Sequence, residues 1–129
     1  KTHCLFMNTY IYLREVRFHA NHGVMPQERT VGTDFTVDLR VEYPFAAAMK
    51  SDNVDDTLNY AQLYNLVKKE MAQPSRLLEH VAGRIAEAVF REFPSSISID
   101  LCITKVNPPM GADCGGAGVE IHLINDKTI

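Results

Sequence analysis

Apolar residues recur at every second position in four stretches of the chain and at helical spacing in two others. The first alternating stretch runs from Tyr10 to His19, and its apolar parity slips between Leu13 and Val16, which predicts a β-bulge or a change of face. In the second, Phe35, Val37, Leu39, Val41 and Tyr43 alternate with Thr36, Asp38, Arg40 and Glu42, and Pro44 ends the run. That is the pattern of a strand with one dry and one wet face. The third sets Ile97, Ile99, Leu101 and Ile103 against Ser98, Asp100, Cys102 and Thr104. The fourth follows a glycine-rich loop and carries Ala117, Val119, Ile121 and Leu123.

Two helical stripes lie between the second and third strands. Asn59, with Gln62 three residues on, predicts an N-cap with a partial capping box. Tyr60, Leu63, Tyr64, Val67 and Met71 then follow on one face. Pro74 and Ser75 break this helix, and Leu78, Val81, Ala82, Ile85, Val89 and Phe93 form the next stripe, closed by Pro94. Residues 21–33 and 46–58 read as a loop and a connector. The order β-β-α-α-β-β predicts an α+β fold: a four-stranded antiparallel sheet with both helices on one face. Thr36, Asp38, Arg40, Glu42, Ser98, Asp100 and Thr104 make the opposite face polar. The sheet has two edges, which need charge or pairing with another copy.

Composition narrows the picture. With 129 residues, the chain is expected to form one domain over 1–129, with 1–9 disordered. A net charge of −3 gives no reason to expect nucleic acid or an anionic membrane as partner. No apolar run approaches the ~20 residues of a membrane helix, and the start lacks the pattern of a signal peptide. Three cysteines without close pairing argue for a reducing compartment, with the cytoplasm as default.

The candidate chemistry starts at Lys105. It has the parity of Ile97 to Ile103, so its side chain should point to the covered face, and Pro108-Pro109 ends the ladder just beyond. Desolvation there would suit general-base or Schiff-base work. The alternative is a lysine whose stem lies on the sheet while its ammonium reaches water. Glu28, in the loop after His22-Gly23, reads either as a solvated carboxylate or as a second site residue. Glu79 stands in the first turn of the second helix, where the helix dipole favours a carboxylate. A carboxylate beside exposed backbone N–H groups also suits a ligand with adjacent donors and acceptors, such as an aminopyrimidine ring. Tyr60 falls on the helical stripe and is expected in the core. His19, His22, His80, His122, Cys102 and Cys114 show no zinc spacing, so no metal is expected. Gly115-Gly116-Ala117-Gly118 precedes a strand, which makes a phosphate loop a weak reading.

Taken together, the motifs resemble the dihydroneopterin aldolase family. They are His22-Gly23-Val24 with Glu28 and Gly32, Asp56-Thr57-Leu58-Asn59-Tyr60, Leu77-Leu78-Glu79-His80-Val81-Ala82, and Ile103-Thr104-Lys105-Val106-Asn107-Pro108-Pro109. The resemblance runs from Ile11 to Ile121, and departs in Met110-Gly111-Ala112-Asp113-Cys114, where the family often has a proline-glycine turn with a histidine or aromatic residue. It implies the tunnelling fold, in which subunits close their sheets into a barrel as ring-based octamers of two tetrameric rings. It implies retro-aldol cleavage of 7,8-dihydroneopterin, in folate biosynthesis, to 6-hydroxymethyl-7,8-dihydropterin and glycolaldehyde. Side-chain epimerisation accompanies cleavage, without metal or organic cofactor. By position, Glu79 would hold the pterin's amino and ring N–H groups with the backbone of Leu78. Lys105 would transfer protons, Glu28 would hold the side-chain hydroxyls, Tyr60 would pack by the ring and help protonate the intermediate, and Leu58 and Asn59 would add contacts. A dihydroneopterin or triphosphate epimerase of the same fold, and a non-catalytic oligomeric pterin-binding module, are the alternatives.

Overall fold

The computed structural model describes residues 7–128. Four strands form one antiparallel sheet in the order of the chain: β1 (Tyr10–Ala20), β2 (Thr33–Glu42), β3 (Ser98–Lys105) and β4 (Ala117–Ile124). Two longer helices, α3 (Tyr60–Met71) and α4 (Leu78–Glu92), are inserted between the two central strands. The region expected to be a plain loop holds a short helix, α1 (Pro26–Thr30). The connector before α3 holds a four-residue helix, α2 (Ala48–Ser51), and a 3-10 turn at Val54–Asp56. No residue of α1, α2 or this turn is buried, so none leaves an apolar stripe to read.

Pairing follows the alternation. In β2 and β3, Val37 faces Ile103, Leu39 faces Leu101, and Val41 faces Ile99. All six are essentially inaccessible, covered by Leu63, Val67 and Met71 of α3 and by Val81, Ile85 and Val89 of α4. Helix α3 packs over β1, and α4 over β3 and β4. Asn59 caps α3 as expected, its side chain accepting from Ala61 N at 2.8 Å.

The parity slip in β1 is a bulge. Leu13 pairs with Leu39 and Val16 with Val37, so β1 spends one extra residue between two neighbouring pairs. Glu15 takes φ 51° there, and its N–H donates to Asp38 Oδ1 at 2.9 Å. The bulge keeps Ile11 and Leu13 on the same face as Phe18 and Ala20, and all four join the core.

On the polar face Arg40 reaches Asp100 at 3.1 Å, and His122 reaches the other oxygen of that carboxylate at 2.7 Å. Residues 1–6, most of the stretch expected to be disordered, lie outside the described residues. Asn8 donates to Glu42, and Thr9 exchanges hydrogen bonds with the backbone of Tyr43. One expectation needs correcting. Tyr60 is 67% exposed and does not join the core. It is the first residue of α3, and Leu66 is buried in the body of the helix instead.

Candidate active site

Strand pairing brings the central lysine into place. Lys105 lies opposite Phe35 at the end of the β2–β3 ladder, on the covered face, with Nζ 5.8 Å from the centre of the Phe35 ring. At this end of the sheet a carboxylate meets the lysine: Glu28 Oε2 stands 2.5 Å from Nζ, and the two side chains are only 13% and 12% exposed. The hydrogen bond from Lys105 holds the Glu28 carboxyl below its usual range, against an opposing effect of desolvation.

Glu28 is fixed by the turn that carries it. Its other oxygen accepts from Met25 N at 3.2 Å. Arg29, the next residue, donates to the carbonyls of Gly23 and Val24 at 2.8 and 2.7 Å, tying α1 back onto its own approach. The side chain of Glu28 passes directly over Gly23. A Cβ on Gly23 would stand 2.4 Å from Glu28 Cδ and 2.5 Å from its Cβ, so only glycine leaves room for the carboxylate.

Before this turn, His22 is fully buried and forms a bridge with Ser75, in the link between α3 and α4. His22 Nδ1 accepts from Ser75 N at 3.2 Å, and Gly23 N donates to Ser75 O at 2.9 Å. The Ser75 hydroxyl lies 2.9 Å from His80 Nδ1 and accepts from Arg84 at 3.0 Å. Arg84 also pairs with Glu70 at 3.0 Å and bonds the carbonyls of Glu70 and Gln73, closing the end of α3. Burial lowers the His22 pKa to about 4, with the positive charges of Arg84 and Lys105 acting the same way.

On the other side of Lys105, the start of α4 opens a cavity of about 230 Å³. Leu78, Glu79, Lys105, Pro108 and the β4 residues Ala117, Gly118 and Val119 line it. Leu77, the residue before α4, gives no side-chain cap, so Glu79 stands beside uncapped backbone donors at the helix start. A second cavity of about 210 Å³ lies along Glu28, between Met25, Gln27, Val31 and Thr33 on one side and Asn107 and Pro109 on the other. A larger cleft of about 390 Å³ between α3 and the end of α4 touches none of the candidate residues.

Four of the residues singled out in the sequence thus meet: Glu28 on Lys105, and Leu78, Glu79 and Lys105 around one cavity. Leu58, Asn59 and Tyr60 do not line it. Leu58 is buried in the core, and the Asn59 side chain is engaged in capping α3. His19 and His22 separate: His19 bonds Asp34 and the Val31 carbonyl at the surface, while His22 is buried. Sequence reasoning missed the roles of His22, Ser75 and Arg29. Pro108 was read as a strand stop and is also a wall of the cavity.

With this geometry in view, comparison with known proteins is decisive. The family model FolB, dihydroneopterin aldolase, matches residues 11–122. The chain belongs to the dihydroneopterin aldolase family. A dihydroneopterin aldolase of Staphylococcus epidermidis is 38% identical over 121 residues, covering 93% of this chain and all of the relative. That of Streptococcus pyogenes is 35% identical over 113 residues, covering 87% of this chain and 95% of the relative. Among solved structures, Escherichia coli dihydroneopterin aldolase in complex with neopterin superposes with a TM-score of 0.81 at 25% identity, covering 88% of this chain and 97% of that one. As a dihydroneopterin aldolase family member the chain is an enzyme, a lyase. The antiparallel sheet with its helices is the architecture of this family.

Proposed function

We propose that this chain cleaves 7,8-dihydroneopterin by retro-aldol reaction, with the pterin ring in the cavity at the start of α4 and the hydroxylated tail at the Glu28–Lys105 pair. The observation that carries this reading is the placement of Lys105, which lines the cavity beside Glu79 while its ammonium contacts Glu28. A carboxylate beside backbone N–H and C=O groups matches the adjacent amino and ring N–H donors of a pterin. A site built for those donors rejects rings that lack them.

The chemistry follows from what the pair can do. A base takes the proton of the second tail hydroxyl, and the bond between the first and second tail carbons breaks. The hydroxyl carbon leaves as the aldehyde of glycolaldehyde. The electron pair moves into the ring's conjugated C=N, and a proton delivered to the first tail carbon then gives 6-hydroxymethyl-7,8-dihydropterin. Since the ring is itself the electron sink, no imine on lysine is required, and Lys105 serves as an acid/base. Return of the proton after the fragments recombine on the other face would give the epimer.

Tyr60 takes part from a neighbouring copy in this reading. Its exposure at the start of α3, away from the cavity of its own chain, supports that assignment. Leu58 and Asn59 would then offer backbone contacts, because their side chains are committed to the core and the helix cap. The open edges at β1 and β4 and the polar face around Arg40, Asp100 and His122 suit closure of several sheets into a barrel, as an octamer of two rings in the cytoplasm. Among the described residues no helix is long and apolar enough to cross a membrane.

The test is incubation with 7,8-dihydroneopterin. Release of glycolaldehyde supports the proposal. Formation of the epimer alone, or binding without turnover, overturns it.

A further inference from the structure

We infer that His22 is a positioning residue, whose buried bond to Ser75 sets the distance between the tail end of the site and the ring end. The inference rests on the assignment of Glu28 to the tail and Glu79 to the ring.

Two contacts of this side chain, and its place in the chain, tie the site together. Its chain neighbour Gly23 is the floor over which Glu28 passes. Through its ring, which meets that of Phe35 at a steep angle with centroids 5.4 Å apart, it supports the aromatic surface beneath Lys105. Through Nδ1 it accepts from the backbone of Ser75, three residues before Leu78 and four before Glu79. The reciprocal bond from Gly23 N to Ser75 O makes the link a two-bond clasp, and the hydroxyl of Ser75 continues it to His80 in the first turn of α4. Glu28 and Lys105 belong to the sheet end of the molecule, whereas Leu78 and Glu79 belong to a helix. This clasp joins the two directly.

Stability alone does not account for a histidine here. Its Nε2 makes no hydrogen bond of normal geometry, although the Met71 backbone is near enough to favour its protonation slightly. An apolar side chain of similar volume would bury no orphaned nitrogen. What such a side chain could not do is receive the Ser75 N–H and hold the link between α3 and α4 against the turn at Gly23. A substrate that spans both ends needs them in register, and small misplacement at a distance is costly to such a substrate. A ligand that touches only one end does not.

The experiment compares binding of neopterin, which has ring and tail, with pterin, which has the ring alone. Wild type should bind neopterin more tightly than pterin. In His22→Leu that margin should fall by about tenfold while pterin affinity stays unchanged, and turnover of 7,8-dihydroneopterin should fall in kcat. His22→Asn can place its Oδ1 where Nδ1 stands, so it should restore the margin. If His22→Leu does not assemble, His22→Gln carries the same comparison, because its amide falls at the Nε2 position and leaves Ser75 N without an acceptor. An intact margin in the Leu or Gln variant overturns the inference, as does an equal loss for both ligands or a failure of Asn to restore it. Wild type that binds both ligands equally would remove the assignment of Glu28 to the tail, and the inference with it.

Discussion

Lys105 Nζ and Glu28 Oε2 stand 2.5 Å apart although 77 positions separate them in the chain, and both side chains are nearly nine-tenths covered. The pair is the point at which the first hairpin and the second meet chemically. Glu28→Gln keeps the size of the side chain and removes its charge. The loss of one charge-assisted hydrogen bond predicts a fall in kcat/KM of roughly 10- to 100-fold. Steady-state kinetics on assembled protein checks it; unchanged kcat/KM would return Glu28 to a structural role.

Gly23→Ala should disable the same carboxylate without touching it. The new methyl would overlap the Cβ and Cδ of Glu28, so the side chain must leave Lys105 or the turn must shift. Activity should fall about as far as in Glu28→Gln, with the far-ultraviolet circular dichroism unchanged. Wild-type activity in Gly23→Ala would mean that the turn yields freely.

Two acid windows in stability are predicted. His22 has a folded pKa of about 4 against an ordinary 6.5, so the unfolded chain takes up its proton first and stability falls as pH drops from 6.5 toward 4. The loss is as much as about 3 kcal/mol. Arg84 and Lys105, both cationic, oppose protonation. Glu28 has a lowered folded pKa, so its contribution is present above about 4.5 and is lost only below that. Chemical unfolding between pH 7 and 4 should therefore flatten in His22→Asn but not in Glu28→Gln. Equal slopes in wild type and His22→Asn would contradict the assignment.

Glu79→Gln should weaken pterin binding by roughly 2–4 kcal/mol, because an amide must present donors toward ring N–H groups. Folding should change by under about 1 kcal/mol, since only a dipole interaction at an exposed helix start is lost. Isothermal calorimetry and thermal unfolding separate the two effects.

Tyr60 and Lys105 should complement each other across copies. Lys105→Ala and Tyr60→Phe variants, each impaired alone, are unfolded together and refolded as random hybrids. A site shared between neighbours predicts that about a quarter of sites are intact. Hybrids that assemble and recover nothing would place both residues in one chain.

Much of the fold was legible because alternation is a local signal. The bulge between Leu13 and Val16 showed as a parity slip, and the cap at Asn59 as a residue type in a fixed place. The short helix α1 gave no such sign, since five residues without a buried side chain have no periodicity. Tyr60 was misread for a related reason: it has the spacing of the stripe but stands at the helix start, outside the helix body that Leu63, Leu66, Val67 and Met71 bury. The site was less legible than the fold. Lys105 could be placed on its face by parity, but nothing near Glu28 in sequence announces a partner in another hairpin. His22 stands in a motif with Gly23 and Val24 but has no partner nearby in sequence, and only burial against Ser75 and Phe35 shows its setting.

The placement of α3 and α4 between the two central strands has a kinetic consequence. Either outer hairpin can close over a short loop, but Phe35 meets Lys105 only after the whole segment from Glu42 to Ser98 has been gathered in. A chain arrested with both hairpins formed and the centre open would have most of its secondary structure and no Glu28–Lys105 pair. Activity should thus return later in refolding than helical and strand signals do, and a bound pterin would report on the last contacts the chain makes.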